Sequence, residues 1–319
     1  NIGGINGLLG MFNAYQIFFI FNTSISAIAF VGNLFISQHY GRGNIDLIEK
    51  DTYLLLKFVL IIGTIFTILG TVIPEQIMAV FTPGQDAMIK AGGQYLQIFS
   101  ISFIFTAITM IYYCIMRNVR LEKIVAINSL SCLILVITLN AIFSYGIRMG
   151  VKGVALAIVI ARALECISAV IIENIKGHVH FHWKDFFALN LPLIKAVSRY
   201  LIIIFFAKLL WAVGSISISV VIGQINNQEL LFANSLLSQM RTLVITISNT
   251  TASAVCVIIG RELGANRLVT AKAHGDEAFR FTFIIGIIEI AILMLTLPIM
   301  YGINLDIFKT GERDFRGPL

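Results

Sequence analysis

The sequence predicts an all-α, polytopic integral membrane helical bundle of about eight spans, and three observations carry that expectation. The chain is 58% hydrophobic and only 13% charged, with a mean hydropathy of +0.89, whereas roughly a quarter of a soluble protein is charged. Its apolar residues come in runs of the ~20 residues that cross ~30 Å of hydrocarbon as a helix. Its Lys and Arg residues fall mainly in alternate gaps between those runs. Together these exclude a water-soluble enzyme and a disordered chain. Gly at 25 of 319 residues and only 4 Cys exclude collagen and a disulfide scaffold. A net charge of +6 would point to nucleic acid in a soluble protein, but here the basic residues border membrane spans, so the expected partner is the lipid bilayer and not nucleic acid.

In chain order the runs occupy residues 8–37, 53–73, 93–116, 125–146, 153–174, 199–222, 230–259 and 281–303. The first and seventh are long enough to tilt or to pass beyond the bilayer. One set of gaps holds Arg42 and Lys50, then Arg117, Arg120 and Lys123, then Lys176, Lys184 and Lys195, then Arg261, Arg267, Lys272 and Arg280. The other holds Lys90, Arg148 and Lys152, and twelve basic residues against three place the first set on the cytoplasmic side. Cys114, Cys132, Cys166 and Cys256 all lie in apolar runs, where a thiol behaves as a small hydrophobe.

The chain also repeats itself weakly. An offset of 223 residues lays Gln16, Thr23, Ala29, Ile36 and Gly41 on Gln239, Thr246, Ala252, Ile259 and Gly264. Both segments are long apolar helices that end in a basic, Gly-containing turn, SQHYGRGN and GRELGANR, and both are followed by another span. Transporters are often built from two such related halves, here parallel because both turns are cytoplasmic.

The strings ISQHYGRGN, PEQIMAVFT, GGQYLQI and MGVKGVALAIVIARALE, followed by LLWAVG and GRELGAN, resemble multidrug and toxic compound extrusion (MATE) transporters in order and spacing. That family has twelve helices in two lobes. The resemblance implies that residues 1–176 are an N-lobe (family helices two to six) and 177–198 a cytoplasmic connection. Residues 199–308 would then be a partial C-lobe (helices seven to nine) and 309–319 a polar tail, an internal segment without the first helix and the last three.

Ionisable groups inside spans cost about 2.5–3.5 kcal/mol each on insertion scales, so each is a candidate for function. Arg162 and Glu165, at i and i+3, read as a structural pair that neutralises itself. Lys208 stands where the resemblance implies an acid linked to cation coupling, the expected Asn-Glu pair reading Ala207-Lys208 here. An ammonium there is either a tethered cation or the partner of Glu289, the other candidate at the ion-coupling position. Arg241 reads either as a positive cavity wall or as a partner for Glu289. Candidates for the substrate pathway are Asn13, Gln16, Asn140, Trp211, Gln239 and Arg241, with Gln16 and Gln239 favoured because the repeat pairs them; Asn140 matches the first Asn of a family string. His178, His180 and His182 have a spacing that can bind metal on a strand, but beside Phe181 and Trp183 they read as an interfacial segment, so no metal is expected.

No nucleotide-binding or catalytic motif is present in the sequence, so no enzyme activity and no cofactor are expected, and energy would come from a Na+ or H+ gradient. The expected function is a secondary antiporter of the plasma (inner) membrane that exports amphipathic small molecules by alternating access, with no obligate protein partner. A flippase for lipid-linked saccharides and a non-transporting membrane scaffold are the alternatives.

Overall fold

In the computed structural model, which describes residues 4–176, 186–187, 190–225 and 228–315, the described chain is helical. The helices are α1 (Gly4–Gly41), α2 (Ile45–Val72), α3 (Pro74–Phe81), α4 (Asp86–Phe99), α5 (Ser102–Asn118), α6 (Glu122–Ala141), α7 (Val151–Lys176), α8 (Leu191–Gln224), α9 (Gln228–Gly264) and α10 (Leu268–Phe315). A π-helical turn at Ile142–Gly146 extends α6. Among the described residues, seven helices are long and apolar enough to cross a membrane, and α4 with α5, bent by 47° at their junction, makes an eighth crossing.

The eight expected runs are therefore present in order, with local differences. The third is broken between Phe99 and Ser102. There Ser102 Oγ donates to the Phe99 carbonyl at 2.7 Å, Ser100 Oγ to Gln97 at 3.2 Å, and Thr67 Oγ1 of α2 to the Ser100 carbonyl at 3.0 Å. Hydroxyls thus take carbonyls at the break, which is the condition for interrupting a helix at membrane depth. Helix α8 begins at Leu191, inside the expected connection, because Asn190 Oδ1 accepts the Leu193 N–H at 3.4 Å and Pro192 suits a first turn. Helix α10 continues to Phe315 through most of the expected polar tail. His178, His180, His182 and Trp183 lie outside the described residues.

Helix α1 is the buried axis, with α2, α4, α5, α8 and α9 packed on it. Phe21 and Phe103 stack with ring centroids 4.6 Å apart, and Phe18 meets Phe99 at 5.3 Å. The periphery has the opposite pattern. One face of α6 exposes Ile127, Leu130, Ile134 and Ile137, and α8 and α10 expose rows such as Phe206 and Leu210 or Phe283, Ile287 and Ile290. Apolar belts of this size are stable only against lipid or another apolar surface.

The two halves of the sequence repeat close in the same way. After α1, the Asn44 N–H donates to His39 O and the Gly43 N–H to Tyr40 O, both at 3.0 Å. After α9, at the same offset, the Arg267 N–H donates to Glu262 O at 2.9 Å and the Asn266 N–H to Leu263 O at 3.1 Å. Both are Schellman closures around a left-handed residue, Gly43 at φ 71° and Asn266 at φ 59°. Asn tolerates this region better than most side chains, so it serves where the first turn has Gly.

These two helix ends cross with their backbones in contact. A Cβ on Gly264 would strike the backbone of Gln38, one on Gly260 the side chain of Ser37, and one on Gly41 the carbonyl of Arg261. Ser37 and Gly41 on α1 face Gly260 and Gly264 on α9, two small residues four apart on each helix, which is how membrane helices come close. The Arg261 guanidinium then donates to the carbonyls of Arg117 at 2.6 Å and Asn118 at 2.8 Å, capping α5, and lies 5.4 Å from the Tyr40 ring centre.

Gly264→Val should therefore cost about 1–3 kcal/mol by overpacking, read as a fall in melting temperature of the detergent-solubilised protein. Gly286→Val, where a Cβ meets nothing, is the control and should change little. Cysteines placed at Arg120 and Arg267 should label from one face of the membrane and those at Asp86 and Met149 from the other, so labelling of all four from one face would break the eight-crossing topology.

Candidate functional site

Between α1, α5, α8 and α9 lies a cavity of about 560 Å³, within the ~300–1,000 Å³ range of small-molecule sites. Helix α1 lines it with Tyr15, Phe19, Asn22, Ser26, Phe30 and Asn33. Steps of three and four residues make this one stripe of the helix. Helix α9 lines it with Thr242, Ile245, Thr246, Asn249, Ala252 and Ser253. The 223-residue offset assigns these six to Phe19, Asn22, Thr23, Ser26, Ala29 and Phe30, all of which also line the cavity. The two repeated helices thus turn equivalent faces to the same space. Helix α8 adds Lys208 and Trp211, and α5 adds Met110 and Arg117.

Lys208 Nζ donates to Ser26 Oγ at 3.1 Å and lies 5.7 Å from the Phe30 ring centre. Trp211 meets Phe19 with ring centroids 5.6 Å apart. Arg117 Nε donates to the Tyr113 carbonyl at 3.1 Å. Asn33 Oδ1 accepts from Asn118 Nδ2 at 2.9 Å and from Cys114 Sγ at 3.1 Å, so what Asn33 has left to offer the cavity is its amide N–H groups.

Of the residues expected from sequence, Trp211 and Lys208 line this cavity. Gln16 and Asn13 are buried, and Asn13 Nδ2 donates to Met88 Sδ at 3.7 Å within the packing of α1 against α4. Neither is among the lining residues, nor are Gln239 and Arg241. The repeat that singled out Gln16 and Gln239 aims the lining face of each helix elsewhere, since the stripe through Tyr15 and Phe19 leaves Gln16 about 100° further round α1. Asn140 sits on α6 away from the cavity, its Oδ1 buried with no hydrogen-bond partner among the described residues. Sequence reasoning passed over Ser26, Asn33, Arg117 and Asn249; the repeat offset, applied to the polar positions of both helices, is the signal that pairs Ser26 with Asn249.

Of the alternatives left open for Lys208 and Arg241, a pairing with Glu289 is not seen: no ion pair joins them among the described residues. Lys208 faces α1, whereas Glu289 lies on α10, which packs on α9, and there Ser248 Oγ reaches its carboxylate oxygens at 2.8 and 2.7 Å. Arg162 Nη1 does meet Glu165 Oε2 at 2.7 Å. Tyr113 also donates to Glu165 Oε1 at 2.9 Å, and Asn128 Nδ2 to Tyr113 at 3.0 Å, so the pair is part of a polar network joining α5, α6 and α7. Among the described residues, no group of three or more His, Cys, Asp and Glu is placed to hold a metal ion.

Residues 3–142 match the family model MatE. No curated protein matches the chain significantly. Among solved structures, the chain is similar to the outward-facing conformation of a multidrug resistance MATE family transporter of the MOP superfamily, at TM-score 0.78 and 14% identity over 92% of this chain and 68% of that one. It is similar to the MATE multidrug transporter DinF-BH, solved as a complex, at TM-score 0.78 and 18% identity over 94% of this chain and 67% of that one. A MOP superfamily transporter from Pyrococcus furiosus, described as having a binding pocket of reverse polarity that suggests a different function, matches at TM-score 0.79 and 15% identity over 95% of this chain and 67% of that one.

Glu165→Leu should destabilise the protein by roughly 1–3 kcal/mol, because it strands the Tyr113 hydroxyl and leaves Arg162 unpaired. Adding Arg162→Met should recover part of that loss. Melting temperatures of the single and double variants check this, and purely additive losses would contradict a shared network.

Proposed function

Because residues 3–142 match the MatE family model and the described helices follow the fold of MATE transporters, we propose that this multi-pass membrane chain moves amphipathic small molecules by alternating access, driven by a Na+ or H+ gradient across the plasma (inner) membrane. The observation that carries this reading is the cavity itself, walled by equivalent faces of α1 and α9. Beyond it, the same two helices close on one another through Gly41, Gly260 and Gly264. A cavity between two related helices that cross closely beyond it suits a rocking motion in which one end opens as the other closes.

In this reading residues 1–176 form one lobe and 199–308 part of the second. Trp211 and Phe19 hold the apolar body of the substrate, and Asn22, Ser26, Asn249 and Thr246 supply adaptable hydrogen bonds. Lys208 cannot bind a coupling cation while charged, so cation coupling falls to another acid, and Glu289, buried beside Ser248, is the candidate. The energetics suffice. One charge entering down ~150 mV yields ~3.5 kcal/mol, and each tenfold substrate gradient takes ~1.4 kcal/mol, so two to three decades are within reach. A flippase for lipid-linked saccharides is the second reading, favoured by the basic residues of the cavity.

In proteoliposomes, transport of an amphipathic dye should require an imposed Na+ or H+ gradient, and Trp211→Ala should slow it about tenfold. Transport that persists at full rate after ionophores collapse both gradients would overturn gradient coupling.

A further inference from the structure

Among the described residues, both charged side chains that line the cavity, Lys208 and Arg117, are basic. No described Asp or Glu lines it, and the acids buried elsewhere in the bundle do not turn toward it. Asp51 is held by His39 at 2.6 Å, Glu165 by Arg162 at 2.7 Å, and Glu289 by Ser248 on another side of α9. Glu173 is buried on α7 and is not among the lining residues. The two cations therefore act on the cavity without a carboxylate in its described wall to offset them.

The hydrogen-bonding inventory leans the same way. An ammonium has three N–H donors and no acceptor, and a guanidinium has five and none. Lys208 spends one donor on Ser26 and Arg117 spends Nε on Tyr113, which leaves several donors for a ligand. Asn33 presents N–H groups because its oxygen is occupied by Asn118 and Cys114. A cationic ligand would bring a like charge into this wall, where the available acceptors are neutral hydroxyl and amide oxygens and not carboxylates. An oxyanion would meet opposite charge and ready donors, in a site partly shielded from water where both count for more.

Apolar surface lies next to these donors. Lys208 and Trp211 are three residues apart on α8 and so share a face about one turn apart, and Trp211 meets Phe19 across the cavity. We infer that the ligand of this cavity is an amphiphile bearing an oxyanion, a carboxylate or a phosphate, bound at Lys208, with an apolar or aromatic body held against Trp211 and Phe19. The inference rests on the cavity being the transport site proposed above.

The test is equilibrium binding to the full chain in phosphatidylcholine nanodiscs, using two dyes with the same xanthene body: anionic carboxyfluorescein and a cationic rhodamine ester. The anion should bind about tenfold more tightly than the cation. Lys208→Met should remove most of that preference while leaving the cationic dye bound, which also shows that the variant is folded, and Lys208→Arg should keep the preference. Trp211→Ala should weaken both dyes alike. Repeating the measurement with phosphatidylglycerol in the nanodisc separates two sources of the same chemistry: competition by this lipid assigns the oxyanion to a headgroup, and no competition assigns it to a soluble amphiphile. A tighter cationic dye, or an anion preference unchanged by Lys208→Met, would overturn the inference while leaving the cavity as a transport site. Failure of both dyes to respond to Trp211→Ala would instead remove the cavity as the binding site.

Discussion

Two helix backbones touch only where the residues between them are small, and the crossing of α1 with α9 at Ser37, Gly41, Gly260 and Gly264 is such a place. Much else in the bundle follows from it. Next to this close approach the same two helices line the cavity, together with α5 and α8. Because both helices end in the same Schellman closure at the same offset, the crossing is made by equivalent segments, which is why equivalent positions also face the cavity. Arg261 adds a third helix to the junction by capping the α5 carbonyls, so closure at this end involves α1, α5 and α9 together.

A bilayer interior leaves no water for unpaired polar groups, and this divides the intramembrane polar residues into two kinds. Some are consumed in packing: Glu165 with Arg162 and Tyr113, Asn118 with Asn33, and the hydroxyls at the α4–α5 break. Others keep hydrogen-bonding capacity after packing, and Lys208, Arg117 and the amide of Asn33 all border the same cavity. Structural polarity and polarity available to a ligand are distinguished by what each group already touches, since residue type alone is the same in both sets.

Placement decides what Lys208 meets. An ammonium at a helix end can reach the headgroups, but Lys208 lies against Ser26 and Phe30 in the interior, one turn from Trp211. Ser26 accepts one of its protons and the Phe30 ring faces its charge, which reduces the cost of holding it there without cancelling the charge. Its electrostatic influence is therefore spent on the cavity and on whatever enters it.

The membrane class, the order of eight crossings and the repeat were all legible in the chain, because run length, basic gaps and offset identities are one-dimensional properties. The family resemblance was legible too, in turns such as SQHYGRGN and GRELGAN, where glycine spacing is dictated by local backbone needs. The bent third crossing was hidden, because serines in an apolar run look the same whether they cap a break or lie along a continuous helix. The cavity residues were legible as a class and not individually. Gln16 and Asn22 are both polar positions of one apolar helix, and only the rotation of α1 against α5, α8 and α9 turns Asn22 toward the cavity and Gln16 away. Likewise the sequence could list Lys208, Arg241 and Glu289 as charges needing partners, but which charges meet depends on which helices are neighbours. Periodicity determines the face a residue shares with others on its own helix, and tertiary packing alone decides what that face looks at.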